Sequence, residues 1–103
     1  MIMRIEHYPF SKLNLEITNI IGKYLNLSEY KVFFFGSRVT KKGNEYSDID
    51  IGIEGPQEIK YETMAKIREE VENLPILYKI DIVDFKTVST DFYNVVSANR
   101  EYL

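Results

Sequence analysis

The sequence has no cysteine and a single histidine, His7. Without thiols there are no disulfides, no thiolate metal sites and no cysteine nucleophile, and one histidine leaves zinc without a ligand set. A surplus of positive charge is also missing. Against 13 lysines and arginines stand 16 aspartates and glutamates, a formal net charge of -3. This balance gives no electrostatic footprint for general nucleic-acid binding, so no direct nucleic-acid partner is expected. No stretch is long and apolar enough to span a bilayer, which leaves no membrane partner. Arg4, Glu6 and His7 interrupt the N-terminal segment where a secretory signal needs an unbroken apolar core. A cytoplasmic protein is the expectation. The common phosphate loops are absent too, since the chain has neither a Walker A sequence nor G-x-G-x-x-G.

What is present is an ordinary globular composition. The chain of 103 residues is 45% hydrophobic and 28% charged, enough for one core and one domain over residues 1–103. Between Phe10 and Leu27, apolar positions Leu13, Ile17, Ile20, Ile21 and Tyr24 recur at three- and four-residue spacing, which predicts a helix with Ser11 as its N-cap. Lys31 to Phe35 is a β-branched and aromatic run that stops at Gly36 and reads as a buried strand, its phenylalanine rings alternating between the two sides. A loop from Ser37 to Ser47 follows. The stretch Asp48-Ile49-Asp50-Ile51-Gly52-Ile53 alternates strictly, placing two aspartates and a glycine on one face of a strand and three isoleucines on the other. After Gly55-Pro56, the residues Ile59, Met64, Ile67, Val71 and Leu74 mark a second helix ending before Pro75. The charged run Lys66 to Glu72 is its exposed face and is assigned no function. Tyr78 to Phe85 reads as a third strand, with Ile80 and Ile82 on one face and Asp81 and Val83 on the other. Thr87 to Leu103 is read as a final helix. The expected architecture is α/β (α+β), a small mixed sheet with helices packed on one face.

Two carboxylates at positions i and i+2 of a strand project from one face about 6.5–7 Å apart at the backbone, so Asp48 and Asp50 can converge on a cation. Asp81 joins them if the third strand lies alongside. Like charges about 5 Å apart at an effective dielectric of about 20 repel by roughly 3 kcal/mol, a cost that a divalent ion removes. An all-oxygen cluster of this kind suits Mg²⁺ or Mn²⁺. Directly after the first strand, Gly36 lets backbone approach a phosphate, and Ser37 offers a hydroxyl and an N–H to it. Arg38 and the pair Lys41-Lys42 can add charge-assisted contacts, although the lysines read more simply as solvated loop charges. Asp84 lies in the same strand as Asp81, but alternation turns it to the opposite face.

Gly36-Ser37, then ten residues, then Asp48-Ile49-Asp50 resembles the GS-x10-DxD signature of minimal nucleotidyltransferases of the DNA polymerase β-like superfamily, often encoded beside a HEPN-domain protein. The segment Lys79-Ile80-Asp81-Ile82-Val83-Asp84 is similar to the strand carrying that family's third acidic residue, which places it on Asp81. The resemblance implies that Asp48 and Asp50 hold two divalent ions, that Asp81 holds one and activates the acceptor hydroxyl, and that Gly36 and Ser37 bind the triphosphate, to which Arg38 adds its charge. It further implies Mg²⁺-dependent transfer of AMP from ATP to a hydroxyl, with a tyrosine of a cognate HEPN toxin as acceptor and the chain acting as an antitoxin. Two alternatives stand beside this: transfer to a small-molecule hydroxyl in a cleft formed by a homodimer, and a non-catalytic antitoxin that masks the toxin by binding.

Overall fold

The computed structural model describes residues 10–36, 49–76, 78–97 and 99–103. Its elements follow the order α1 (Phe10–Gly22), β1 (Lys31–Phe35), β2 (Ile49–Glu54), α2 (Tyr61–Glu72), β3 (Ile80–Asp84), α3 (Thr90–Ser97) and β4 (Glu101–Tyr102). The strands form one mixed sheet in the order β3-β2-β1-β4. β1 runs antiparallel to both β2 and β4, while β2 and β3 are parallel, the crossover between them being made by α2.

The alternation of β2 decides which face of the sheet is which. Ile49, Ile51 and Ile53 are fully buried with Val32, Phe34 and Ile82, under Leu13, Ile17 and Ile21 of α1 and Met64, Ile67 and Val71 of α2. α1 and α2 therefore lie on one face, as their apolar stripes require. The opposite face holds an aromatic cluster of Phe33, Phe35 and Phe85, against which α3 packs Tyr93 and Val96. Phe33 and Phe85 meet edge to face at 4.8 Å and 83°, an arrangement worth about 0.5–1.5 kcal/mol beyond area burial. Gly52 makes that packing possible, because a Cβ there would stand 2.4 Å from Phe33 Cε2 and 2.7 Å from Phe85 Cε1.

Four expectations need correction. The helices do not share one face of the sheet, because Phe33, Phe35 and Phe85 give the opposite face an apolar surface that α3 covers. Ser11 lies inside α1 and does not cap it. The third strand is Ile80–Asp84, shorter than expected. The C-terminal segment is not one helix: α3 ends at Ser97 and the chain then adds β4 to the free edge of β1, with the Leu103 N–H donating to the Val32 carbonyl at 3.0 Å. The reason is visible at positions 99 and 100, where the stripe of Phe92, Val95 and Val96 continues into Asn and Arg. The Arg100 guanidinium instead stacks 4.1 Å from the Phe33 ring centre and pairs with Glu54 at 2.7 Å.

Charged residues of α2 also reach beyond their own helix. Glu70 accepts hydrogen bonds from Lys23 Nζ and the Tyr24 hydroxyl of the segment after α1. Arg68 Nη2 donates to the Ile82 carbonyl of β3 at 3.0 Å. The run Lys66 to Glu72 is thus part of the packing between elements rather than a solvated face alone. Among the described residues no helix is long and apolar enough to cross a membrane.

Candidate active site

β2 and β3 are in a register that pairs Asp50 directly with Asp81. Neighbouring strands are about 4.8 Å apart and equivalent residues point the same way, so the two carboxylates stand side by side on the face away from α1 and α2. Asp50 is half-buried, and the Asp81 side chain is 40% exposed. Both line a cavity of about 660 Å³, together with Phe35, Arg68, Tyr78, Lys79, Val83 and Phe92.

Gly36 ends β1 beside them. Phe35 pairs with Asp50 in the sheet, and the next residue turns with a φ of 88°. That is the left-handed region, which costs an ordinary L-residue about 1–2 kcal/mol. Space imposes a second requirement, since a Cβ on Gly36 would sit 2.3 Å from Asp50 Oδ2. The glycine therefore seats the carboxylate as well as turning the chain, a role that sequence reasoning did not assign to it. Across the sheet the order is Gly36, Asp50, Asp81, so the turn and the two acids form a row running from the end of β1 to the edge strand β3.

Lys79, two residues before Asp81 and on the same face, brings Nζ to 3.6 Å from Asp81 Oδ1. With the lysine side chain 71% exposed, this is a surface pair worth about 0–1 kcal/mol. The i, i+2 spacing was the available signal for it, and the sequence reading gave Lys79 no role. Phe92 and Arg68 were likewise not singled out, because nothing local in the sequence brings α2 or α3 to the carboxylates.

Asp84 has a different task. It is buried, and its Oδ2 accepts the Ile59 N–H at 2.8 Å while Oδ1 accepts the Lys86 N–H at 2.9 Å. It ties the loop before α2 to the end of β3, on the face away from the site. Ser37, Arg38, Lys41, Lys42 and Asp48 lie outside the described residues, as does His7. Among the described residues the acidic pair is Asp50 and Asp81, two adjacent hard-oxygen donors at a cavity wall. That donor set fits Mg²⁺ or Mn²⁺, which take carboxylate oxygens and keep the rest of their shell for water and phosphate.

Comparisons with known proteins bear on the family and the fold. A probable protein adenylyltransferase MntA of Haemophilus influenzae is 29% identical over 68 residues, covering 66% of this chain and 60% of the relative. The chain therefore spans about 60% of the length of that curated relative. A crystal structure of a toxin–antitoxin with AMP-PNP superposes with a TM-score of 0.69 at 17% identity, over 86% of this chain and 70% of that one. An MNT antitoxin in complex with a tri-AMPylated HEPN toxin of Shewanella oneidensis gives 0.66 at 17% identity, over 89% and 69%. At that level of identity the two structures speak for the shared fold. The family model described as polymerase beta, nucleotidyltransferase matches residues 16–103, and the chain belongs to that family.

Proposed function

We propose that the protein transfers AMP from ATP to a hydroxyl, and that the acceptor is a tyrosine on a cognate HEPN-domain toxin, for which this chain is the antitoxin. The observation that carries the reading is the row of Gly36, Asp50 and Asp81 on one sheet face at the wall of a cavity. The named relatives support the same direction, being a probable protein adenylyltransferase and an antitoxin bound to an AMPylated HEPN toxin. On this reading both proteins work in the cytoplasm, where ATP is supplied.

In this reading Gly36, Ser37 and Arg38 hold the triphosphate, whose charge the backbone N–H groups and the guanidinium can meet. Asp48 and Asp50 would hold two Mg²⁺ ions and Asp81 one of them. When bound, the ions polarise the α-phosphate and neutralise the departing pyrophosphate. Asp81, on the outer strand, orients the acceptor hydroxyl and takes its proton. The hydroxyl oxygen bonds to the α-phosphorus, the bond to the bridging oxygen breaks, and pyrophosphate leaves. Asp81 stands on the outer strand with its side chain 40% exposed, as a group that must meet an incoming protein needs to be.

The test is incubation with Mg²⁺-ATP and a HEPN-domain protein, sought in the reading frame next to the one for this chain, followed by mass spectrometry of that protein. Added AMP on a tyrosine, missing with Asp50→Asn and Asp81→Asn, is the expected result. A partner left unmodified but silenced equally by wild type and both variants would replace this reading with masking by binding alone.

A further inference from the structure

The aromatic cluster under the site is closed at three of its members and open at one. Phe33, Phe35 and Phe85 are at most 5% exposed, whereas Phe92 is 39% exposed. It is nevertheless held: its ring meets Phe35 at 6.0 Å and 86° and Phe85 at 5.9 Å and 62°. Its backbone is fixed too, because the Phe92 N–H donates to Ser89 Oγ at 3.1 Å at the start of α3. A lone exposed apolar residue is ordinary on a protein surface and needs no explanation. Val95, one turn along the same helix, is such a residue at 73% exposure and lies off the cavity. Phe92 differs in position, since it lines the cavity that also holds Asp50 and Asp81.

We propose that Phe92 is a stacking platform for an aromatic ring of the substrate, seated beside the carboxylate pair. The proposal rests on the nucleotidyl-transfer reading. Edge-on contacts with Phe35 and Phe85 hold the ring in orientation, and its exposed part is what the cavity offers to a planar partner. Two rings would come to such a site, the nucleobase of the donor and the phenol of the acceptor, and both are recognised by the same chemistry of flat π-surface on flat π-surface.

Calorimetry with Mg²⁺ separates ring from phosphate, using ATP and inorganic tripolyphosphate as probes. If the ring is the nucleobase, Phe92→Leu weakens ATP binding at least about fivefold and leaves tripolyphosphate unchanged, while Phe92→Tyr restores ATP. If the ring is the phenol, both of those titrations are unchanged. Binding of N-acetyl-tyrosinamide, followed by NMR on protein saturated with a non-hydrolysable ATP analogue, then weakens by a similar factor. Val95→Ala alters none of these. No change in any arm for Phe92→Leu, or equal weakening of ATP and tripolyphosphate with a lowered melting temperature, would overturn the proposal and make Phe92 a packing residue. Wild type that binds neither ATP nor tripolyphosphate would instead overturn the nucleotidyl-transfer reading on which it rests.

Discussion

A single hydrogen at position 36 controls where the Asp50 carboxylate can sit. Gly36→Ala meets two obstacles, a φ of 88° and a Cβ placed 2.3 Å from Asp50 Oδ2. The backbone strain alone is worth about 1–2 kcal/mol, and the contact forces Asp50 or the turn to move. We expect the variant to melt lower and to lose Mg²⁺-dependent ATP binding. In Gly36→Ala with Asp50→Ala the contact is gone and only the strain remains, so stability should recover in part. Full additivity of the two changes in denaturant melts would show that they do not touch. Asp84→Asn makes the opposite case. Its two oxygens accept two backbone N–H groups in a buried setting, and an amide can satisfy only one. A loss of about 1–3 kcal/mol in stability is expected, with ATP affinity of the folded protein retained. That contrast separates Asp84 from Asp81, which strand alternation had already placed on opposite faces. The acids were legible because period-two patterning reads directly as a face. Phe92 and Lys79 were not, because their importance comes from what stands next to them in space.

The three longer strands and two long helices were legible for the same reason, each carrying its own periodicity through residues such as Ile49, Ile51 and Ile53 or Met64, Ile67 and Val71. The C-terminal segment was not, because β4 is two residues long and is stabilised by what it joins. Arg100 shows how: its side chain is 6% exposed, stacked over Phe33, Phe85 and Tyr93 and paired with Glu54 of β2. One residue thus ties α3 and β4 to the sheet. Arg100→Ala removes the stack and leaves Glu54 without its cation, and should cost about 2–4 kcal/mol in urea denaturation, the partial exposure of Glu54 keeping it below a fully buried pair. Burial alone would raise the Glu54 carboxyl, but hydrogen bonds from Arg100 and Tyr93 outweigh it and hold the group below the ordinary carboxylate value. The native state therefore binds fewer protons than the unfolded chain in that window. The stability due to Glu54 is complete above its unfolded value of about 4.3 and is lost as pH falls through the lower native value. Glu54→Gln should flatten the acid limb of the stability curve, and an unaltered limb in that variant would assign it to other acids.

At the scale of the whole molecule, the site and the fold are in opposition until a ligand arrives. Asp50 and Asp81 stand beside each other across β2 and β3, and their repulsion acts on the parallel pair that holds the edge strand β3 to the sheet. The contact that relieves Asp81, with Lys79 at 3.6 Å, is a solvent-exposed pair and offsets little of it. Replacing both acids should therefore leave the ligand-free protein no less stable, so the melting temperature of Asp50→Asn with Asp81→Asn is expected at or above that of wild type. The order should reverse when Mg²⁺ and ATP are added. Ligand at about a hundred times its dissociation constant stabilises the native state by about 2.7 kcal/mol. For a chain of about 100 residues each kcal/mol moves the midpoint by about 4–8 °C, so wild type should melt roughly 10–20 °C higher and the double variant should not move. Chelating the metal with ATP still present should return wild type to its ligand-free midpoint, because in the proposed reading the nucleotide is held through ions shared with the carboxylates. A rise kept by the double variant would place the nucleotide elsewhere on the molecule. A rise kept by wild type after chelation would show that the triphosphate is held by protein donors alone.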